Sequence, residues 1–156
     1  MIRIMFVCHG NICRSPMAEF IMKKLVSDAG MSERFVISSS ATSTEEIWNG
    51  VGSPLYVSAA EQLSCHKIPF TRRRAVLLLK SDYEKYDLFV GMDNANVRNM
   101  NRIFASDPEG KIKKLMDFTE RRGEVSDPWY SRDFDAAYRD IFEGCSSLLN
   151  FLKRAL

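Results

Sequence analysis

Apolar residues fill positions 4 to 7 without a break (Ile4-Met5-Phe6-Val7), a run too short for a helix and of strand-forming character. Helical spacing takes over at Met17, Phe20, Ile21 and Leu25, and Gly30 supplies a stop. Extended character returns at Phe35-Val36-Ile37, followed by a helical pattern over 54–64. A second apolar run spans Asp87 to Met92, and Val97, Met100 and Phe104 give residues 94–105 one apolar helical face. Ile112 to Met116 reads as another strand. The cleanest helix comes last, with Phe134, Ala137, Tyr138, Ile141, Cys145, Leu148, Leu149 and Leu152 on one side. Strands alternating with helices predict a three-layer α/β fold, a Rossmann-like parallel sheet with helices on both faces and right-handed crossovers. A ligand site is then expected beyond the carboxyl ends of the strands, where Cys8 falls.

That edge carries Cys8-His9-Gly10-Asn11-Ile12-Cys13-Arg14-Ser15, a nucleophilic thiol and a guanidinium around one short loop. Gly10 and Asn11 permit unusual backbone angles, and Ser15-Pro16 reads as an N-cap with proline at N1 of the helix that follows. Such a loop turns main-chain N–H groups inward beside a helix N-terminus, which suits a tetrahedral anion such as phosphate, and Arg14 adds a bidentate clamp. The same field favours the thiolate of Cys8, the nucleophilic form. Asp127-Pro128-Trp129-Tyr130 is the second chemical feature, an acid in a stretch that reads as loop.

Cys8 to Glu19, CHGNICRSPMAE, resembles the phosphate-binding loop of the low-molecular-weight protein tyrosine phosphatases. Ser40-Ala41-Thr42, the stretch from Asp87 to Asn96 and Asp127-Pro128-Trp129-Tyr130 resemble further landmarks of that family, in its order. The resemblance implies a sheet of four strands and hydrolysis of protein phosphotyrosine and small aryl phosphates. It also implies roles: Cys8 attacks phosphorus, Arg14 binds the phosphate oxygens, and Asp127 serves as general acid and then general base around a phosphocysteine. His9, Gly10, Asn11, Ile12, Cys13 and Ser15 complete the loop, with Ser15 also placed to donate to the Cys8 thiolate. Trp48, Trp129 and Tyr130 are candidate walls of a cleft deep enough for a phenyl phosphate. Asn11 either holds the loop through its side chain or serves plain turn chemistry. Cys13 is either a small buried residue or, as the resemblance implies, a partner for a reversible disulfide with Cys8.

A length of 156 residues fits one phosphatase domain over 1–156, and a net charge of +2 gives no argument for a nucleic-acid or membrane partner. The only apolar run near the N-terminus is interrupted by Arg3 and ends at Val7, too short for the core of a signal peptide. A cytoplasmic monomer is expected, taking phosphotyrosine proteins or peptides as partners and holding phosphate or another oxyanion in its loop. Cys8, Cys13, Cys65 and Cys145 lack the paired spacing of a zinc site, and neither metal nor organic cofactor is called for; Cys65 and Cys145 read as inert core.

One stretch departs from the resemblance. Family members often carry His-x-Ala-Arg before the third strand, where this chain has Arg72-Arg73-Arg74-Ala75-Val76, so a supporting histidine is missing and the brace for Asn11 is unidentified. His66 reads as a surface or helix-end residue. The three arginines read by default as a solvated face, with attraction of acidic phosphopeptides as the functional alternative. Arsenate reduction is a rival activity, but it needs resolving cysteines that Cys65 and Cys145 are poorly spaced to supply. Protein arginine phosphatase is a rival within the family, where the resemblance suggests threonine at the position held by Ile12. A noncatalytic phosphate-binding module is the non-enzyme alternative.

Overall fold

The first strand, β1 (Ile2–Cys8), sends successive side chains into two different layers, as the period of a strand requires. Ile4, Phe6 and Cys8 join one core cluster, and Met5 and Val7 join a second on the opposite face. The computed structural model describes residues 1–156. After β1 come α1 (Arg14–Asp28), β2 (Phe35–Ala41), a two-stranded hairpin of β3 (Ile47–Trp48) and β4 (Val51–Gly52), α2 (Val57–Cys65), β5 (Leu88–Gly91), α3 (Asn94–Phe104), β6 (Ile112–Lys114), α4 (Pro128–Ser131) and α5 (Phe134–Lys153).

The main sheet runs β2-β1-β5-β6, and every pairing in it is parallel. Helices α1, α2 and α5 pack through Met17, Phe20, Leu63, Ile141 and Leu148 against one face. Met100 and Phe104 of α3 cover the other, with Tyr83 and Phe89. The expected three-layer fold with four parallel strands is therefore present. From β1 the chain crosses first to β2 and later to β5 on its other side, so the strand order reverses at β1 and a crevice opens beyond its carboxyl end. No helix is long and apolar enough to cross a membrane.

Several boundaries differ from expectation for local reasons. The helix predicted over 54–64 starts only at Val57, because Pro54 pairs with Arg74 in an isolated bridge. The strand predicted to Met116 stops at Lys114 and tightens into a 3₁₀ turn over Leu115–Phe118. That turn drives Leu115 into the core against α5, at Gly144, where any Cβ would lie 2.5 Å from the leucine Cγ. Cys145 is core as expected, but Cys65 is exposed at the end of α2. The β3–β4 hairpin turns on Asn49 and Gly50, both at positive φ (50° and 78°), a pairing that selects the tight hairpin turn.

Candidate active site

The loop between β1 and α1 is built around Asn11, which is fully buried at φ 60°, a left-handed conformation that asparagine tolerates better than most residues. Its amide Nδ2 donates to Ser15 Oγ at 2.8 Å and to Ser39 Oγ at 3.0 Å. Its Oδ1 accepts from the Val76 N–H at 3.1 Å and from Arg73 Nη2, while Arg73 Nη1 donates to the Asn11 carbonyl at 2.6 Å. Asn11 therefore holds the loop through its side chain. Gly10 is not the left-handed residue. Its lack of a side chain instead makes room for Glu46, whose Cγ would sit 3.2 Å from a Cβ at that position.

Arg73 supplies the missing brace. Segment 73–78 runs along the end of β2, with Ala41 N–H donating to Val76 O at 2.7 Å and Leu78 N–H to Ala41 O at 2.8 Å, and this lays the guanidinium behind the loop. The default reading of all three arginines as a solvated face is thus corrected for Arg73, which is partly buried. Burial pulls its pKa down from the ordinary value, opposed by the charges of Glu19 and Cys8. Glu19 is tied into the same network, accepting from Ser39 Oγ at 2.6 Å. Arg74 donates to Gly52 O at 3.0 Å, and Arg72 is exposed.

Ser15 is not the N-cap. Helix α1 begins at Arg14 with Cys13 as a cap that makes no side-chain bond, and Pro16 is tolerated at the third position because first-turn N–H groups lack helical partners anyway. The Ser15 hydroxyl points instead at the sulfur: Oγ lies 3.0 Å from Cys8 Sγ. Because that oxygen already accepts from Asn11, its proton is free for the sulfur. The Asn11 N–H donates to Cys8 Sγ as well, at 3.3 Å. The N–H groups of Gly10, Ile12 and Cys13 donate to no atom of the chain and remain available to an anion.

Arg14, 4% exposed, is aimed by three acceptors. Nη1 donates to Val125 O at 3.1 Å, and Nη2 to Asp93 Oδ2 at 2.9 Å and Asp127 Oδ2 at 3.4 Å. Burial opposes its charge, but Cys8, Asp127 and Asp93 outweigh that and raise its pKa. Asp93 is a site residue that the sequence pattern did not single out; it also caps α3 by accepting from the Asn96 N–H at 2.8 Å. Its signal was an aspartate directly after an apolar strand and before a helix. Cys13 is a buried free thiol whose pKa burial, then the charge of Cys8, pushes up to about 12. No group of three or more His, Cys, Asp or Glu side chains is arranged to hold a metal ion.

The family model for low molecular weight phosphotyrosine protein phosphatase matches residues 3–156. The chain belongs to that family. It is 35% identical over 153 residues to the low molecular weight protein-tyrosine-phosphatase PtpA of Staphylococcus saprophyticus, covering 97% of this chain and 94% of that protein. The crystal structure of the low molecular weight protein tyrosine phosphatase from Streptococcus pyogenes superposes with a TM-score of 0.86 at 35% identity, covering 97% of this chain and 93% of that one. That of the Drosophila arginine phosphatase gives 0.84 at 26% identity, covering 96% and 97%.

In this tyrosine phosphatase a cleft of about 540 Å³ opens over Cys8 and Arg14. The loop from Cys8 to Arg14 floors it, and Asp93, Asp127, Trp129, Tyr130, Glu45 and Glu46 stand around it. Asp127 lies not in open loop but at the N-cap of the one-turn helix α4, accepting from the Trp129 N–H at 3.0 Å. Trp129 is steadied edge-on by Tyr56 at 5.1 Å between ring centres. Trp48 does not line the cleft: it sits on the β3 hairpin, 73% exposed, because the hairpin turns its ring toward solvent. Ile12 is packed among Cys13, Ala75, Ile47 and Tyr56, with one side on the cleft. His66 caps the end of α2 and stacks on Tyr138 at 3.8 Å, away from Asn11.

Proposed function

We propose that this single-domain phosphatase hydrolyses phosphotyrosine in proteins, and small aryl phosphates, through a phosphocysteine on Cys8. The observation that carries the reading is the convergence on one cleft of a sulfur accepting two hydrogen bonds, a buried guanidinium and a carboxylate. The phosphate would seat against the free N–H groups of the loop and against Arg14, which exchanges part of its pairing with Asp93 and Asp127 for the phosphate oxygens. Cys8 Sγ attacks in line; the S–P bond forms as the P–O bond to the phenol breaks, and Asp127 gives its proton to the departing oxygen. Water then attacks phosphorus, the S–P bond breaks back to the sulfur, and the Asp127 carboxylate takes the water proton. Aryl phosphate and water become phenol and phosphate, with no cofactor needed to balance the steps.

The aromatic ring of the substrate would lie against Trp129 and Tyr130, which line the cleft and are exposed, and phosphoserine would be too short to bring its backbone past them. The apolar side chain of Ile12 supports a phenyl over a guanidinium leaving group, so phosphoarginine peptides are the discriminating control. Arsenate reduction finds less support: Cys145 is sealed in the core, where burial pushes its thiol above the ordinary range, and Cys65, exposed at the end of α2, does not line the cleft. The enzyme would act as a cytoplasmic monomer. Rapid quench with labelled phosphotyrosine peptide should trap phosphorus on Cys8, and Cys8→Ser should abolish turnover. Persistent activity in that variant, or label on another residue, would overturn the assignment.

A further inference from the structure

The mouth of the cleft is acidic, although the chain as a whole carries a net charge of +2. Glu45, Glu46, Asp93 and Asp127 all line it, whereas Arg14 is the only lysine or arginine that does. Arg14 sits at the floor, paired with Asp93 and Asp127, and on the proposed mechanism is the group that receives phosphate. Glu45 meets only His9, Nε2 to Oε2 at 3.0 Å, and Glu46 has no cationic partner within 4.0 Å. Both glutamates lean over the phosphate loop from the segment before β3, as the closeness of Glu46 to Gly10 shows. Facing them are Trp129 and Tyr130, 51% and 85% exposed, and the neutral Asn99 and Ala95. The arginine run lies elsewhere. Arg72, Arg73 and Arg74 line a separate cavity with Phe70, Pro54 and Leu55, so they are not placed to draw acidic residues to the cleft.

We infer that the rim selects phosphotyrosine peptides with lysine or arginine beside the phosphotyrosine, and discriminates against acidic flanks, through Glu45 and Glu46. This rests on the phosphotyrosine reading above and names its substrate class. Once the phosphate dianion is seated against Arg14 and the loop, the rim charges, Glu45 shared only with His9 and Glu46 without a cationic partner, face whatever flanks it. A cation there meets two carboxylates and, at Trp129 and Tyr130, exposed ring faces that attract it further. An acidic flank meets only repulsion. Because Glu45 is exposed and Glu46 only half-buried, the effect is modest and sensitive to salt.

The test compares three phosphotyrosine peptides identical except for lysine, alanine or glutamate on either side of the phosphotyrosine. At about 50 mM salt, kcat/KM should fall from lysine to alanine to glutamate, with roughly tenfold between the extremes, shrinking to about twofold near 0.5 M. Glu45→Lys/Glu46→Lys should reverse the ranking. Equal rates for the three peptides in the unaltered protein, or preference for glutamate, would overturn the inference. Turnover of p-nitrophenyl phosphate, which has no flanks, reports separately on the underlying chemistry. Affinities of the same peptides for Cys8→Ser give the ranking even without turnover, and must follow the same order for the inference to stand.

Discussion

The loop from Cys8 to Arg14 and the rim above it border the same cleft, yet they use their hydrogen-bonding capacity differently. In the loop, Asn11 uses its carbonyl, its Oδ1 and its Nδ2 on Arg73, Val76, Ser15 and Ser39, and Arg14 is held by three acceptors. At the rim, Glu45, Trp129 and Tyr130 are exposed, with His9 and Tyr56 as their main side-chain neighbours. A loop whose donors must meet developing charge gains from being fixed before the substrate arrives, since reorganising dipoles during reaction costs rate. A rim that meets varied protein sequences gains nothing from such rigidity. Variants of the two regions should therefore leave different kinetic signatures.

The largest contrast is expected at Asp127, which belongs to both regions by capping α4 and touching Arg14. Asp127→Ala should lower phosphotyrosine turnover by about 10²- to 10⁴-fold, as loss of a general acid does. The loss on p-nitrophenyl phosphate should be smaller, because its leaving group needs less protonation than a phenol of pKa about 10. Asp127→Asn retains a capping oxygen for α4 and should show the same inequality. Equal losses on the two substrates would mean that Asp127 acts only by placing Arg14.

Arg73 sharpens the comparison from the loop side, because it touches Asn11 and lies behind the site, outside the cleft lining. Removing it leaves a buried carbonyl and the Asn11 Oδ1 short of a charged donor, so the left-handed turn loses its clamp. Arg73→Ala should cut kcat on the order of tenfold to a hundredfold, and by the same factor for p-nitrophenyl phosphate and phosphotyrosine. Arg73→Lys, which restores one donor, should recover part of it. A loss confined to peptides, or one appearing in KM alone, would move Arg73 from positioning the loop to contacting substrate.

Much of this was legible along the chain, and what was not has specific causes. The unbroken apolar run of β1, the long apolar face of α5 and the strand-loop-helix pattern that sets Cys8 at the sheet edge follow from period and local chemistry, whereas the count of four strands and the part given to Asp127 come from the family resemblance. Of the two roles the sequence suggests for Ser15, cap and donor to Cys8, only the second is present, because the helix starts one residue before it and the placement of the Cys8 sulfur claims the hydroxyl. For Arg73 the sequence suggests a solvated face because a run of charges carries no sign of which member turns inward; that depends on segment 73–78 lying along β2, a contact between distant parts of the chain. Trp48 is a large aromatic in a cleft-forming stretch, but the Asn49-Gly50 turn beside it, which rotates it into solvent, is the better signal.

Asp107 gives the smallest effect and serves as the control for both regions. It lies between α3 and β6 and accepts from Tyr83 OH at 2.6 Å and from the N–H groups of Lys111 at 2.7 Å and Ile112 at 3.1 Å. Burial works against its charge, but these donors prevail and hold its pKa below 3.8. A carboxylate depressed in the folded state adds stability above its unfolded value, and that contribution is lost as pH falls through the lower folded value. Asp87, held down in the same sense by Arg3, titrates in the same window below pH 3.8. Asp107→Asn should therefore lower stability by about 1 kcal/mol at neutral pH, a fall in Tm of roughly 2–4 °C, and flatten part of the acid limb of the stability curve. Its kcat and KM should match the unaltered protein on both substrates. If an Asp107 variant instead lost turnover as Arg73→Ala does, general loosening of the sheet would explain both, and the loop could no longer be credited with a rigidity of its own.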